Sequence, residues 1–358
     1  MNILIIKLSS IGDVVHALPF LEALKKCYTG ARIDWLVEEE ASRVISGHPA
    51  VNRIIISGRK RWQKEIINPM NILRVCSETA GFYRELRTSA YDIVIDLQGL
   101  FRSGFLTALT RGKRKIGMSG AREGASIFLK ETPVPVDYEQ HAIDRYLKVA
   151  EYLGCNTDNP KGEIPVSEED KKTADGIFSS FPEGKKIIAV NPMAKWETKL
   201  WNSDKFSKLA GKLQKKTGSR IIFTGSGQDR PVIEEIIKKS GGREDEIINL
   251  AGRTSLKELA YLYSGCSVLV CTDTGPMHIA AAMGCRVVAL FGPTSPLRTG
   301  PYGSGHIIIR SGIDCSPCFK KECSGTKCME EITVDAVFDA AKEILESGFR
   351  DSRIQGVR

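Results

Sequence analysis

The stretch KLSSIGDVVH, residues 7 to 16, sets a carboxylate and an imidazole at the mouth of a strand-to-helix turn. The apolar run before it reads as a strand, and the apolar spacing after it reads as a helix. Open α/β sheets bind ligands at such mouths, so Asp13 and His16 stand where a ligand would sit. An acid in the first turn of a helix is also accounted for by the helix dipole alone. That effect is worth about 0.3–1 kcal/mol and has no catalytic consequence. His16, one turn further on, suits positioning the loop as well as touching a substrate.

A second chemical stretch is CTDTGPMHIAAAMG, residues 271 to 284. An apolar strand ends at Asp273-Thr274-Gly275-Pro276, and His278 falls in the first turn of the helix that follows. Pro276 suits the first helical position, and Gly275 lets the backbone approach a ligand. Free N–H groups at such a start cradle phosphates, and Thr274 adds a hydroxyl. Helix capping by Asp273 or Thr274 produces the same pattern. Near the C-terminus, Cys315, Cys318, Cys323 and Cys328 place four thiols within fourteen residues. In a cytosolic chain this clustering reads as a structural zinc or iron knuckle, with free thiols as the other reading.

These residues need a scaffold. A chain of 358 residues, 42% hydrophobic and 26% charged, is long for one core and ordinary for a globular protein. No apolar run approaches the roughly 18 residues of a membrane span, and Lys7 interrupts the first strand without a cleavage site of the signal-peptide kind. Cytoplasm is the expected compartment. Apolar runs at 2–8, 32–38, 53–57 and 91–97 read as strands of a first α/β half. Runs at 185–192, 220–225, 267–275, 286–293 and 306–310 read as strands of a second. The polar stretch 155–172 reads as the linker. The expectation is an α/β protein of two Rossmann-like domains, 1–170 and 171–345, with parallel sheets facing across a cleft and a tail at 346–358. No G-x-G-x-x-G follows the first strand and no P-loop occurs, which argues against dinucleotide dehydrogenases and P-loop NTPases.

The net charge of +8 is uneven. Arg59, Lys60, Arg61 and Lys64 fall within RKRWQK, and residues 101 to 122 hold six basic residues and no acid. Such runs are either solvated faces or sites for an anionic partner.

KLSSIGDVVHALP, YDIVIDLQGLFRS and DTGPMHIAAAMGCRVVALFGPTSP together resemble the ADP-heptose:lipopolysaccharide heptosyltransferase family, over residues 1 to about 345. The resemblance implies the GT-B fold and an inverting transfer of L-glycero-D-manno-heptose. The donor is ADP-heptose, and the acceptor is the Kdo of Kdo2-lipid A at the cytoplasmic face of the inner membrane. RIDWLVEEEAS, RKRW and GMSGAREGAS look most like type I members, whereas CSPCFKKEC resembles type II, which extends the first heptose.

By the same resemblance Asp13 is the base, with Ser10, Gly12, Asp273, Thr274, Gly275 and His278 around the donor. Lys199 is the phosphate lysine and Lys195 its alternative, because the loop NPMAKWETKLW carries one residue more than some members. Asp229 of GSGQD is a ribose acceptor. Lys60, Arg61, Lys64 and Arg122 are expected on the carboxylates and phosphates of the acceptor, with remaining charge toward anionic lipid. No metal or other cofactor is expected in catalysis, and no D-x-D motif occurs. Two rivals have different requirements. A GT-B-like sugar-nucleotide epimerase needs no acceptor-side basic run. A nucleic-acid-binding protein would interleave aromatics with its basic patch, where only Trp62 stands, so no nucleic acid is expected as a partner.

Overall fold

The computed structural model describes residues 1–181, 184–243 and 245–347. All but the first two residues of the expected 346–358 tail lie outside them. The chain divides into two compact units, Met1–Pro165 and Val166–Arg358.

In the first unit five parallel strands form one sheet: β1 (Asn2–Ile6), β2 (Arg32–Glu38), β3 (Arg53–Ser57), β4 (Ala90–Asp96) and β5 (Arg111–Gly117). Their order is β3-β2-β1-β4-β5. The helices between them are α1 (Ile11–His16), α2 (Leu18–Cys27), α3 (Glu39–Ile45), α4 (Arg59–Glu65), α5 (Ile72–Thr88) and α6 (Phe101–Leu109), with α7 (Ala142–Tyr152) after β5. Ile3, Leu4, Ile5 and Ile6 are all fully buried, as an apolar strand covered on both faces must be. On one face Leu4, Ile6, Leu36 and Val94 pack against Phe82 and Leu86 of α5 and Leu106 of α6.

β5 was hidden in the basic run RGKRKIG. It is an edge strand whose charges have internal partners. Lys113 pairs with Asp92 at 2.8 Å, Arg114 with Glu131 at 2.6 Å, and buried Lys115 donates to the Ala108 carbonyl at 2.9 Å. These residues of the 101–122 run are therefore structural, not a surface left for an anion.

The second unit holds β6 (Ile187–Asn191), β7 (Arg220–Phe223), β8 (Ile247–Asn249), β9 (Val268–Thr272), β10 (Val287–Phe291) and β11 (Ile307–Arg310), ordered β11-β10-β9-β6-β7-β8. All neighbouring pairs are parallel. Its helices are α8 (Glu168–Ser179), α9 (Ser203–Thr217), α10 (Arg230–Ser240), α11 (Leu256–Ser264) and α12 (Gly275–Ala282). The short α13 (Pro296–Thr299) and α14 (Lys327–Glu330) follow, then α15 (Val334–Glu346). Helix α9 packs against α10 and α15 over a core that includes Phe206, Leu209, Phe223, Val270 and Phe338.

Both sheets are doubly wound, and each reverses its strand order once, between β1 and β4 and between β6 and β9. Ligands of such sheets bind beyond the carboxyl ends of the strands that flank the reversal. Asp13 follows β1, while Lys199 follows β6 and Asp273 follows β9. All three stand at those places.

Candidate active site

In the first unit, Ser10 caps α1 and Asp13 is its third residue. The Asp13 Oδ2 accepts the Ser10 N–H at 2.8 Å and the Ser10 hydroxyl at 2.9 Å. This reciprocal cap fixes the carboxylate at the end of β1. Its Oδ1 lies 4.0 Å from the ammonium of Lys7, a side chain only 3% exposed. Lys7 donates to the Leu97 carbonyl at 3.2 Å and sits 5.0 Å from the centre of the Tyr146 ring. Burial pulls the Lys7 ammonium down, but Tyr146, Asp13 and Asp96 more than offset it and leave its pKa raised, so it is a fixed cation.

The segment YDIVIDLQGLFRS builds the floor beneath this turn. Gln98 Oε1 accepts the N–H groups of Leu8 at 3.1 Å and Ser9 at 3.2 Å. Asp96 accepts the N–H groups of Gln98 and Gly99 through Oδ1 and the Ser103 hydroxyl through Oδ2. Burial pushes the Asp96 pKa up, against these hydrogen bonds and Lys7. Lys7, Asp96 and Gln98 are site residues that motif reading alone did not single out. Gly12 is buried beside the cap. His16 is 3% exposed and packs edge-on to His141, ring centres 4.9 Å apart, which suits a role in holding the loop.

The basic helix α4 leaves the same edge of the sheet after β3. Glu38, at the end of β2, is nearly buried and takes Arg59 at 3.0 Å, Lys60 at 3.5 Å and Arg102 of α6 at 2.8 Å. Lys60 also pairs with Glu40 at 2.7 Å. Arg59, Lys60 and Arg102 thus converge on Glu38, with Glu40 and Glu123 nearby. Arg61 is held by Glu39, Glu65 and Glu78. Lys64 and Arg122 are exposed.

Glu78 joins α4 to α5: it accepts the Trp62 indole N–H at 2.9 Å and pairs with Arg74 at 2.8 Å. Those hydrogen bonds, Trp62 first, then Arg74 and Arg61, lower its pKa from 4.5 to about 2. A depressed carboxyl contributes stability that is present above its unfolded pKa and lost as pH falls through its folded one. The melting temperature is therefore expected to drop between pH 4.5 and about 2, with a change in Trp62 fluorescence. Glu78→Gln should be less stable at neutral pH and lack that part of the decline. An unchanged decline would assign it to other carboxylates.

In the second unit, the Lys199 ammonium pairs with Asp273 Oδ2 at 2.6 Å, and the Thr294 hydroxyl donates to the same oxygen at 2.7 Å. Thr274 is the extended residue before α12, Pro276 lies in the first turn, and His278 is buried one step further on. The start of α12 offers N–H groups and the positive end of its dipole. Lys199 lies 4.4 Å from the centre of the Trp196 ring, and Lys321 lies 5.4 Å from it. Thr198 donates to the Lys320 carbonyl at 2.9 Å, which ties the FKKEC segment to this loop. Lys321 is a second cation here, and it lies in no motif that points to phosphate. Lys195 is exposed.

Asp229 forms the same device as Asp13. Its Oδ2 accepts the Ser226 N–H and hydroxyl, each at 2.7 Å. The adjoining turn needs glycine. Gly252 has φ of +72°, and a Cβ there would lie 2.6 Å from the Cα of Gly227.

The cysteine cluster departs from expectation. Among the described residues no three potential ligands are grouped to hold a metal ion. Cys328 is buried with Met329 in the core, while Cys315 and Cys323 are exposed and Cys323 donates to the Gly325 carbonyl. The segment is pinned to the end of β10 by backbone bonds from Cys318 and Phe319 to the Pro293 carbonyl. The four thiols still lie near one another, since Cys315, Cys318 and Cys323 all add to the effect of burial in raising the pKa of Cys328.

Two doubly wound parallel sheets of five and six strands, each with polar side chains where its strand order reverses, match the fold of the GT-B class of glycosyltransferases. Known relatives agree. The chain belongs to glycosyltransferase family 9, the heptosyltransferases, whose family model matches residues 80–329. It is 31% identical over 327 residues to lipopolysaccharide heptosyltransferase 1 of Pseudomonas aeruginosa, across 90% of this chain and 88% of that one. Among solved structures, E. coli heptosyltransferase WaaC with ADP is 27% identical with a TM-score of 0.76, covering 96% of this chain and 100% of that one. A family 9 glycosyltransferase from Veillonella parvula is 25% identical with a TM-score of 0.79, covering 97% of each chain.

Proposed function

We propose that the chain transfers L-glycero-D-manno-heptose from ADP-heptose to the Kdo of Kdo2-lipid A, with inversion, in lipopolysaccharide inner-core synthesis. The observation that carries this reading is the likeness, over 90% of the chain, to a protein named lipopolysaccharide heptosyltransferase 1. Residues of each unit give it a mechanism. The acceptor hydroxyl attacks the anomeric carbon from the face opposite the nucleotide, and Asp13 takes its proton. General-base help of this kind contributes about 10²–10⁴ in rate. The bond from sugar to phosphate breaks, and charge grows on the departing diphosphate. Lys199, released from Asp273, and the N–H groups at Gly275 meet that charge, with Thr274 and His278 beside it and Lys195 as the alternative cation. Asp229 accepts from the ribose. Ser10 and Gly12 line the turn that carries the base.

Lys60, Arg61, Lys64 and Arg122 bind the acidic acceptor, and the enzyme works as a peripheral protein at the cytoplasmic face of the inner membrane. No described helix is long and apolar enough to cross a membrane. The reading requires no metal and no nucleic acid.

The test is incubation with ADP-heptose and either Kdo2-lipid A or its heptosylated product, read by mass. Gain of one heptosyl unit on Kdo2-lipid A is the expected result. Gain only on the heptosylated product would assign the type II reaction, which CSPCFKKEC favours. Gain on neither would overturn the reading.

A further inference from the structure

From the end of α4 into the first turn of α5 the chain runs Ile66-Ile67-Asn68-Pro69-Met70-Asn71-Ile72-Leu73, and five of these eight residues are large, apolar and exposed. Ile67 is 80% exposed, Met70 91% and Leu73 85%, with Ile66 and Ile72 above 40%. Single exposed apolar residues are ordinary, whereas a contiguous set marks an interaction surface. The exposure is built into the loop. Asn68 accepts the Met70 N–H at 3.0 Å and shapes a tight turn, and Arg74 reaches back to Glu65 at 2.9 Å across the base of the loop. These bonds hold the polar atoms inward and leave the hydrocarbon outside.

We propose that this loop inserts its aliphatic side chains into the interface of an anionic lipid bilayer. Exposed Lys64 stands just before the apolar residues, while Arg74 after them is paired with Glu65 and Glu78; a lysine beside exposed aliphatic side chains is what an anionic bilayer surface takes up. Protein-binding hot spots lean instead on Trp, Tyr and Arg in pockets, with Leu under-represented. The loop also follows α4, whose Arg59 and Lys60 meet Glu38 at the carboxyl edge of the sheet, the edge that carries Asp13. Lipid held at this loop therefore lies toward the acceptor side of the first unit. The proposal rests on the reading of a lipid-borne acceptor and names the element that meets the membrane.

The test uses the full chain with vesicles of phosphatidylcholine and phosphatidylglycerol that contain no acceptor. The wild type should co-sediment with them, and less with phosphatidylcholine alone. The double variant Ile67→Ser, Leu73→Ser should bind about tenfold or more weakly, because apolar burial supplies much of the affinity. Both side chains face solvent, so its thermal melting should match the wild type. Ile67→Trp supplies a reporter, whose emission should shift to the blue on adding vesicles. Equal sedimentation of wild type and double variant, or an unshifted emission, would overturn the proposal. So would loss of a protein dimer in the double variant with no effect on vesicle binding. Because the vesicles carry no acceptor, failure of the heptosyl transfer assay leaves this result readable on its own.

Discussion

Asp13→Asn is expected to lower turnover by about 10²–10⁴ while ADP affinity stays nearly unchanged. The substitution is well matched to the site. An Asn oxygen can still accept the Ser10 N–H that Asp13 accepts at 2.8 Å, so the start of α1 keeps its shape. What is lost is the proton acceptor, and with it the negative charge 4.0 Å from Lys7. Asp13→Ala removes the cap as well and should cost a further ~1 kcal/mol of stability. Comparing the two separates chemistry from folding. His16→Ala should do the reverse, with a smaller loss of turnover and a clear loss of stability, because its ring is buried against His141. Near-normal turnover in a folded Asp13→Asn enzyme would reduce the carboxylate to a helix cap.

Lys199→Ala is expected to weaken ADP binding and to lower turnover together, the latter by about 10²–10³, the usual loss on removing one donor from developing charge. This lysine is bound to Asp273 at 2.6 Å, so a diphosphate that takes it competes with a carboxylate. Asp273 keeps the Thr294 hydroxyl in the variant, which limits the damage to the fold. Calorimetry showing unchanged ADP affinity would move the phosphate contact to Lys195 or to Lys321, which also lies near the Trp196 ring.

The apolar strands of both sheets were legible because burial on two faces demands continuous Ile, Val and Leu. β5 was not legible. Its pattern RGKRKIG carries charge where an edge strand meets solvent, and charge in a row reads first as a binding run. β8 has only three residues, Ile247–Asn249, too few to show a pattern. At the site, Asp13, Lys199 and Asp273 were visible because each lies in a motif that announces a strand end. Lys7, Asp96 and Gln98 were not singled out, although all three lie in quoted motifs. Their roles come from contacts such as Gln98 to Leu8, ninety residues away in the chain. Lys321 was hidden by its neighbours, since four cysteines around it drew attention to metal and not to charge.

The margins of the two sheets have a consequence for how the protein behaves in concentrated solution. A bare parallel margin offers a row of unpaired backbone groups to any other chain that passes. Here β5 is shielded by the stretch from Lys130 to Val134, whose N–H groups bond to the Lys115 and Gly117 carbonyls. Short β3 carries Arg53, and short β8 ends after three residues. Arg114, which resembled part of a landing place for ligand, pairs with Glu131 of that covering stretch and thus serves colloidal stability: it helps deny the sheet a second sheet to grow into.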